Sequence, residues 1–174
     1  LIVQKGVKEE LLKRILAHAR EWPMGDPLDP VNRVGALVSK SHFDKVASYL
    51  GTDKKSGGPK VLLGGTAKDG FVEPTILEAA RDAKQVREEI FGPVLSVLTV
   101  DSFDEAIQLA NDTEYGLAAS IFTSNVKRAI RGARAIRAGT VTVNSFGEGD
   151  NATPFGGFKQ SGFGGRDNGI HAHD

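Results

Sequence analysis

Apolar residues recur every three or four positions from Val7 onwards, and this spacing predicts an amphipathic helix. Its apolar face comprises Leu11, Leu12, Ile15, Leu16 and Ala19. Pro23, Pro27 and Pro30 keep the following stretch irregular, because each ring fixes φ and removes a backbone donor. A second helix is predicted from Ser41, which acts as its N-cap, and the apolar face of this helix comprises Phe43, Val46, Ala47 and Leu50.

The next part of the chain alternates between extended and helical patterns. Extended segments are predicted at 61–63 and 71–77, and the run 94–100 is apolar and β-branched on both faces. A run of this kind is typical of a central strand with helices on both sides. Ser102 and Glu105 form a capping box at the start of a third helix.

A fourth helix is predicted between two further strands, at 118–122 and 140–143. Ser124 is its predicted cap, Gly139 is placed to end it, and its inner face comprises Val126, Ile130, Ala133 and Ile136. The length of the chain and this alternation predict one compact α/β domain, with an open, largely parallel sheet and helices on both faces. Ligands of such sheets bind beyond the carboxyl ends of the strands, so the segment 144–169 is expected to border a site.

Composition narrows the range of partners. Lys plus Arg (22) balance Asp plus Glu (22), so no overall field attracts polyanions, and neither nucleic acid nor a membrane surface is expected as a partner. No apolar run approaches the roughly 20 residues that span a bilayer, and a cytoplasmic location is expected. The chain has no cysteine, which excludes disulfides, thiolate zinc sites and a cysteine nucleophile within these residues.

Three known kinds of functional motif are excluded by the residues around them. The Gly-x-Gly-x-x-Ala segment at 147–152 matches a dinucleotide fingerprint, but Pro154 follows where that motif must open a helix. No serine stands in the Gly-x-Ser-x-Gly context of a hydrolase. His171 and His173 lack a nearby third ligand, so no metal site is expected.

Because the whole chain is neutral, a solvated face is the preferred interpretation of the basic residues Lys127, Arg128, Arg131, Arg134 and Arg137.

Two segments contain residue patterns that are candidates for a functional role. At 88–94, two adjacent carboxylates precede an aromatic residue, a turn and a buried strand. At 154–162, glycines surround two phenylalanines in a predicted loop. From the residues alone, a functional role and a purely structural one are equally supported for both segments.

At these residues the sequence resembles the aldehyde dehydrogenase family, and the resemblance extends over essentially all 174 positions. The family's Glu-x-Phe-Gly-Pro-Val motif is matched at 89–94, and its Pro-Phe-Gly-Gly-x-Lys-x-Ser-Gly motif at 154–162. Its Asn-x-x-x-Tyr-Gly-Leu-Ala stretch is matched at 111–118, and its Gly-x-Val-x-Val-Asn strand at 139–144. The resemblance implies that 1–174 is the C-terminal portion of the family's catalytic domain, truncated at both ends.

The resemblance also implies roles for individual residues. Glu89 is expected to accept hydrogen bonds from the vicinal hydroxyls of the nicotinamide ribose, because a carboxylate offers two acceptor oxygens. Phe91 is expected to pack beside the nicotinamide. Phe155 is expected to line the aldehyde tunnel, and Asn144 and Ser145 to lie near the substrate. Apolar walls would exclude water there and position the aldehyde.

The central chemistry of that family uses residues that this chain lacks. A cysteine thiolate attacks the aldehyde, and a glutamate activates the water that hydrolyses the thioester. The resemblance of Leu1 to Lys5 to the segment after that cysteine puts both residues, and the cofactor domain, upstream of Leu1. No catalytic residue is therefore assigned to this chain. NAD or NADP is expected in the full-length protein, whereas the isolated chain is expected to be inactive and to hold no cofactor.

Assembly and substrate are further expectations. The family's C-terminal assembly strand is expected beyond Asp174, the parent protein is expected to be a homo-oligomer, and the isolated chain is expected to self-associate. The segments 148–155 and 165–172 resemble bacterial dehydrogenases of γ-glutamyl-γ-aminobutyraldehyde and related aminoaldehydes. Glu148 and Asp150 either attract the ammonium group of such a substrate or merely solvate a loop, and both interpretations stay open.

Two other functional classes also stay open at this point. One is a non-catalytic α/β interaction module derived from the same fold. The other is a related reductase that acts on an acyl phosphate or a thioester, in which the upstream glutamate should be absent. The choice between NAD and NADP is left open as well, since that discrimination is made in the cofactor domain.

Overall fold

The computed structural model describes residues 1–50, 58–147 and 152–163. The chain divides into two compact units, 1–101 and 102–174. The described helices and strands confirm the α/β class, and three of the five pairings between named strands are parallel. No helix in the described ranges is both long enough and apolar enough to cross a membrane.

The first unit is built on a four-stranded sheet in the order β1-β6-β5-β2. Its strands are β1 (Ile2–Gln4), β2 (Lys60–Leu63), β5 (Thr75–Glu78) and β6 (Val94–Val100). The β1–β6 and β5–β6 pairs are parallel, whereas β2 runs antiparallel to β5. Since β6 has a hydrogen-bonded neighbour on each side, the predicted central strand is confirmed.

A small hairpin accompanies that sheet. Its strands, β3 (Ala67–Lys68) and β4 (Phe71–Val72), are antiparallel. Asp69 and Gly70 join them with φ values of 53° and 87°. Positive φ at both central residues is the geometry of a two-residue type I′ turn, for which Asp-Gly is a preferred sequence.

Two apolar clusters fill the first unit, one under each long helix. Helix α1 (Lys5–Arg20) packs its predicted face on Val3, Ile76 and Val97, and this confirms the first helix of the sequence analysis. Helix α2 (Lys40–Leu50) contributes to a second cluster, which comprises Val46, Tyr49, Leu50, Val72 and Ile90. The short helix α3 (Lys84–Arg87) leads from the sheet into the segment 88–93.

The start of α2 differs from the prediction. The helix begins at Lys40, and the Ser39 hydroxyl accepts a hydrogen bond from the backbone N–H of His42 at 3.2 Å. The prediction of Ser41 as the N-cap is therefore wrong. Two serines two positions apart both suit a cap, and sequence alone does not indicate which of them the backbone uses.

The second unit contains a parallel pair of strands and two helices. Strands β7 (Ala118–Ile121) and β8 (Thr140–Val143) pair from Ala118 with Thr140 to Ile121 with Val143. Helix α4 (Phe103–Asn111) begins at the predicted cap, since the Ser102 hydroxyl accepts from the Glu105 N–H at 3.1 Å. The third predicted helix is therefore confirmed.

The fourth predicted helix exists, but three details of the prediction are wrong. Helix α5 (Val126–Ala135) is capped by Asn125, whose side chain accepts from the Arg128 N–H at 3.0 Å, and not by Ser124. The helix ends four residues before Gly139. Val126 and Ile130 are 68% and 51% exposed, so they do not face inward; the residue of α5 that is buried is Gly132.

Strands β6 and β7 lie in different sheets among the pairings of the described residues. The strand and helix alternation therefore correctly predicts the parallel direction of β7 and β8. It does not predict that the chain changes sheets after β6. A 3₁₀ turn at Lys159–Ser161 is the last regular element of the second unit within the described residues.

Candidate functional site

The two adjacent carboxylates at the end of α3 have different surroundings. Glu88 accepts a hydrogen bond from the Tyr49 hydroxyl at 2.6 Å, and Tyr49 is itself only 4% exposed. Glu89 is exposed, and its carboxylate has no hydrogen-bond or ion-pair partner within 1–50, 58–147 and 152–163. Glu88 is thus used by the fold, whereas both oxygens of Glu89 are available to a ligand.

Phe91 lies beside Glu89 in an unusual backbone conformation. Its φ is 59°, in the left-handed region that bulky side chains rarely adopt, and its side chain is 72% exposed. The intervening residue, Ile90, is buried in the α2 cluster. One anchored side chain therefore separates two side chains that point into solvent.

The turn after Phe91 is closely packed. A Cβ atom at Gly92 would lie 2.8 Å from Cγ1 of Val46, so the position accepts only glycine without displacement. The Thr75 N–H donates to the Pro93 carbonyl at 2.8 Å, where β6 begins. These contacts hold the Phe-Gly-Pro turn against both α2 and the sheet.

Sequence reasoning missed the part that α2 plays in this segment. His42 Nε2 lies 2.8 Å from the Phe91 carbonyl oxygen, and Lys45 donates to the Glu89 carbonyl at 3.1 Å. Tyr49 completes the set through Glu88. The spacing 42, 45 and 49 places all three side chains on one helical face. The available signal in the sequence was the helical spacing of His42, Lys45 and Tyr49, which lie beside the apolar positions of α2.

The residues of the first unit suit a polyhydroxylated ligand that carries a planar ring. A free carboxylate accepts two hydrogen bonds from vicinal hydroxyls, and an exposed aromatic ring nearby offers a flat apolar surface. Both groups sit on a backbone held by α2. Glu89 and Phe91 therefore present two acceptor oxygens and a flat apolar surface on one held segment of backbone.

The start of the chain lies in the same sheet. The Leu98 N–H donates to the Leu1 carbonyl at 2.8 Å. Ile2 pairs with Leu98 in the parallel β1–β6 register. This part of β6 follows directly from the Glu89–Val94 segment.

In the second unit, Asn144 has a structural task. Its side-chain oxygen accepts from the Thr123 N–H at 2.9 Å, and its amide nitrogen donates to the Thr123 carbonyl at 3.1 Å. Its φ of 55° is in the left-handed region that asparagine tolerates better than most residues. The side chain thus fastens the end of β8 to the residues after β7.

Ser145 follows with a different set of contacts. Its carbonyl accepts from the Thr142 hydroxyl at 2.9 Å, while its own hydroxyl has no hydrogen-bond partner in the described part of the chain. The Thr142 hydroxyl also lies 2.8 Å from that of Ser120, on the neighbouring strand. Ser145 therefore has a fixed backbone and a free hydroxyl at the carboxyl end of β8.

The glycine-rich loop at 154–162 is built on the segment 111–117. The Gly116 carbonyl accepts from the N–H groups of Gly139 and Phe158, at 3.0 and 2.9 Å. The Gly116 N–H donates to the Ser161 hydroxyl at 3.1 Å. Lys159 donates to the carbonyls of Asn111 and Thr113, at 3.1 and 3.0 Å. Two motifs whose bonded residues lie 42 to 48 positions apart in sequence thus form one hydrogen-bonded loop cluster.

Phe155 sits on this held loop with 43% of its surface exposed. A methyl group at Gly139 would overlap the carbonyl oxygen of Gly156, so the loop backbone lies directly on the start of β8. The loop is therefore a fixed support for a half-exposed aromatic side chain. Glu148, Asp150, His171 and His173 lie outside the described residues.

The predicted site residues thus fall into two groups. Glu89 and Phe91 are neighbours in the first unit, and Asn144, Ser145 and Phe155 belong to the second. No group of three His, Asp or Glu side chains suited to a metal ion occurs among the residues that were described. The first group combines a free carboxylate with an exposed aromatic ring, and the second contains a half-exposed aromatic ring on a held loop.

This α/β scaffold with its two supported loops matches a known class of oxidoreductases. The profile of the aldehyde dehydrogenase family matches residues 1–174, and this chain belongs to that family. The resemblance stated from the sequence motifs is confirmed. The chain spans about a third of the length of the curated relatives that it matches, 35% for the first of them.

Relatives and solved structures agree on this assignment. The aminoacetaldehyde dehydrogenase of Pseudomonas aeruginosa is 57% identical over 100% of this chain and 35% of its own length. The betaine aldehyde dehydrogenase of Mesorhizobium japonicum is 42% identical over 99% of this chain and 37% of its own. The crystal structure of γ-glutamyl-γ-aminobutyraldehyde dehydrogenase from Burkholderia cenocepacia is 45% identical, with a TM-score of 0.91 over 99% of this chain and 36% of that one.

Proposed function

We propose that this chain forms the C-terminal portion of the catalytic domain of an NAD(P)-dependent aldehyde dehydrogenase, which oxidises an aldehyde to a carboxylate. The observation that carries the proposal is the free Glu89 carboxylate two residues from the exposed ring of Phe91, within a chain that belongs to this family. NAD(P) supplies the hydride acceptor when it is bound. The residues of this chain supply binding and orientation.

Glu89 is the proposed ligand of the nicotinamide ribose. Its two oxygens accept from the two vicinal hydroxyls, and these charge-assisted bonds fix the rotation of the ribose. Phe91 packs beside the nicotinamide and restricts it to one orientation. A correctly oriented ring matters because hydride transfer needs the reacting atoms within about 3–3.5 Å.

Residues of the second unit are proposed to line the aldehyde tunnel. Phe155 lines the tunnel, where an apolar wall excludes water and positions the reacting carbonyl. Ser145 lies near the substrate with a free hydroxyl, which supports a contact there. Asn144 is proposed to act near the substrate through the backbone that it fastens, since both polar atoms of its side chain bind Thr123.

The nucleophile and the general base are proposed to come from other residues of the longer protein. This chain has no cysteine, and the first relative is nearly three times as long, since the chain spans 35% of it. The isolated 174-residue chain is therefore expected to oxidise no aldehyde and to bind NAD weakly. Aldehyde-dependent formation of NADH by the purified chain would refute this expectation.

The proposed substrate is an aminoaldehyde, such as γ-glutamyl-γ-aminobutyraldehyde. The names of similar proteins support this class, because they include aminoacetaldehyde and γ-glutamyl-γ-aminobutyraldehyde dehydrogenases. Glu148 and Asp150 are proposed to attract the cationic substrate. Turnover of amino and plain aliphatic aldehydes by the full-length enzyme and its Asp150→Asn variant tests this role. An unchanged preference in the variant would rule out a role for that charge.

The ribose contact is tested in the full-length enzyme that carries this chain. Glu89→Gln replaces an ionised acceptor by a neutral one, and we expect the KM for NAD(P) to rise about tenfold, since bonds to charged groups are stronger by roughly 1–1.5 kcal/mol. Glu88→Gln is the matched control, because its amide oxygen still accepts from the Tyr49 hydroxyl. Equal KM values for the two variants would overturn the role of Glu89.

A further inference from the structure

We propose that His42 is a positioning residue for the cofactor side of the site. Its Nε2 atom holds the Phe91 carbonyl, and this bond maintains the backbone conformation that turns Phe91 and Glu89 toward a ligand. The inference rests on the proposed function, because it concerns how the two proposed cofactor ligands are presented. No contact between His42 and the cofactor is required.

The conformation of Phe91 needs support from its surroundings. A non-glycine residue in the left-handed region costs on the order of 1–2 kcal/mol relative to the right-handed one. Residues held in this way at functional sites persist only when neighbouring contacts determine them. Phe91 has a φ of 59° and a largely exposed ring, so its own side chain contributes little burial to offset that cost.

The anchors on either side of Phe91 do not fix its carbonyl. Ile90 is held by its apolar side chain, and Gly92 by close packing on Val46. The carbonyl between them is where the His42 imidazole forms its 2.8 Å hydrogen bond. Loss of that bond would free the Phe91–Gly92 peptide to rotate and allow Phe91 to return to an extended conformation.

His42 also contacts the ring of Phe91. The two ring centroids are 6.4 Å apart with planes tilted by 57°, which lies within the range of tilted aromatic pairs. A single side chain thus restrains both the backbone and the ring of the same residue. Lys45 and Tyr49 act two and three positions before Phe91, at Glu89 and Glu88.

The hydrogen bond from His42 can be tested separately from the packing of its side chain. A carbonyl oxygen only accepts, so the imidazole must carry a hydrogen on Nε2. Glutamine at position 42 also provides a side-chain N–H donor with similar reach, whereas alanine provides none. His42→Gln should therefore keep the function that His42→Ala loses.

The experiment compares these two variants in the full-length enzyme. His42→Ala should raise the KM for NAD(P) about fivefold, the effect of one net hydrogen bond, with the KM for the aldehyde unchanged within about twofold. His42→Gln should stay within about twofold of the unsubstituted enzyme. His18→Ala is the matched control, since His18 lies on α1 with Glu21 and Trp22 as its neighbours.

A merely structural role would give a different result. It would lower the melting temperature and raise both KM values together, whereas the positioning role leaves the melting temperature within about 2 °C. The proposal is overturned if His42→Ala keeps the NAD(P) KM of the parent, or if His42→Gln is as impaired as His42→Ala.

The outcome is distinguishable from failure of the proposed function. Glu89→Gln tests the ribose contact alone, so an unaffected Glu89→Gln enzyme overturns the proposed cofactor role of Glu89, on which this inference rests. An impaired Glu89→Gln enzyme beside an unaffected His42→Ala enzyme overturns only the role of His42. Nitrogen-15 spectra of the 174-residue chain test the contact directly, and a neutral His42 protonated on Nδ1 would contradict it.

Discussion

Replacing Asn144 with alanine should destabilise the chain by removing the fastening between β8 and the residues after β7. The substitution deletes two hydrogen bonds, at 2.9 and 3.1 Å, that pair one side chain with both backbone groups of Thr123. It also places an alanine at a φ of 55°, where asparagine is tolerated and alanine is not. The change adds no bulk, so no clash contributes.

The expected loss is about 2 kcal/mol. Each bond lies at an exposed position and is assigned the low end of the net range, about 0.5 kcal/mol, and the left-handed conformation adds about 1 kcal/mol. With a urea m-value of about 2 kcal/mol/M, the midpoint of unfolding should fall by about 1 M. Asn144→Gly should lose less, because glycine accepts the positive φ.

Urea titration of the 174-residue chain, followed by circular dichroism, measures this shift. Ser145→Ala is the matched control, because the Ser145 hydroxyl has no partner among the described residues and its loss should change stability by less than about 0.5 kcal/mol. A midpoint for Asn144→Ala that equals that of Ser145→Ala would refute the fastening role.

Three further predictions concern other contacts of the fold. Gly139→Ala should destabilise the second unit by about 3 kcal/mol, the upper end for overpacking, because the methyl group meets the Gly156 carbonyl; an unchanged urea midpoint would contradict this packing. Tyr49→Phe should cost about 1.5 kcal/mol through the lost bond to Glu88, and a neutral effect in the same assay would argue against that bond. The isolated chain should self-associate, because Phe122, Phe146 and Phe163 are 68%, 83% and 108% exposed; a monomeric mass by light scattering at every concentration, with a cooperative melt, would disprove this.

Local rules account for the elements that sequence analysis predicted well. Helix α1 and the Ser102 cap of α4 depend on residues within a few positions of one another, and both were predicted from spacing alone. The central position of β6 followed from apolar residues on both of its faces. The register of β7 and β8, by contrast, is a long-range property that spacing does not encode.

The errors have a common physical origin. Val126 and Ile130 share one face of α5, and their periodicity predicts a helix but not whether another element covers that face. Likewise, Ser124 and Asn125 are both good caps, and the choice depends on where the chain leaves β7. Periodicity thus identifies elements better than it identifies their neighbours.

In the candidate site, too, local sequence motifs were predictable whereas contacts between distant residues were not. Family motifs pointed to Glu89 and Phe91, and the structure adds a reason why Glu89 differs from its neighbour, since Tyr49 binds Glu88. His42 and Lys45 were missed because their partners lie 49 and 44 residues away in sequence. The roles of Phe155 and Ser145 stay predictions, which the tests above address.

Asn111 connects three separate segments of the second unit. Its amide nitrogen donates to the Ala135 carbonyl at 2.8 Å, its side-chain oxygen accepts from the Arg137 N–H at 2.7 Å, and its own carbonyl accepts from Lys159. The last residue of α4 therefore ties the end of α5 and the loop at 154–162 to one point. Replacing Asn111 would therefore loosen the end of α5 and the loop at 154–162 together, although the two lie far apart in sequence.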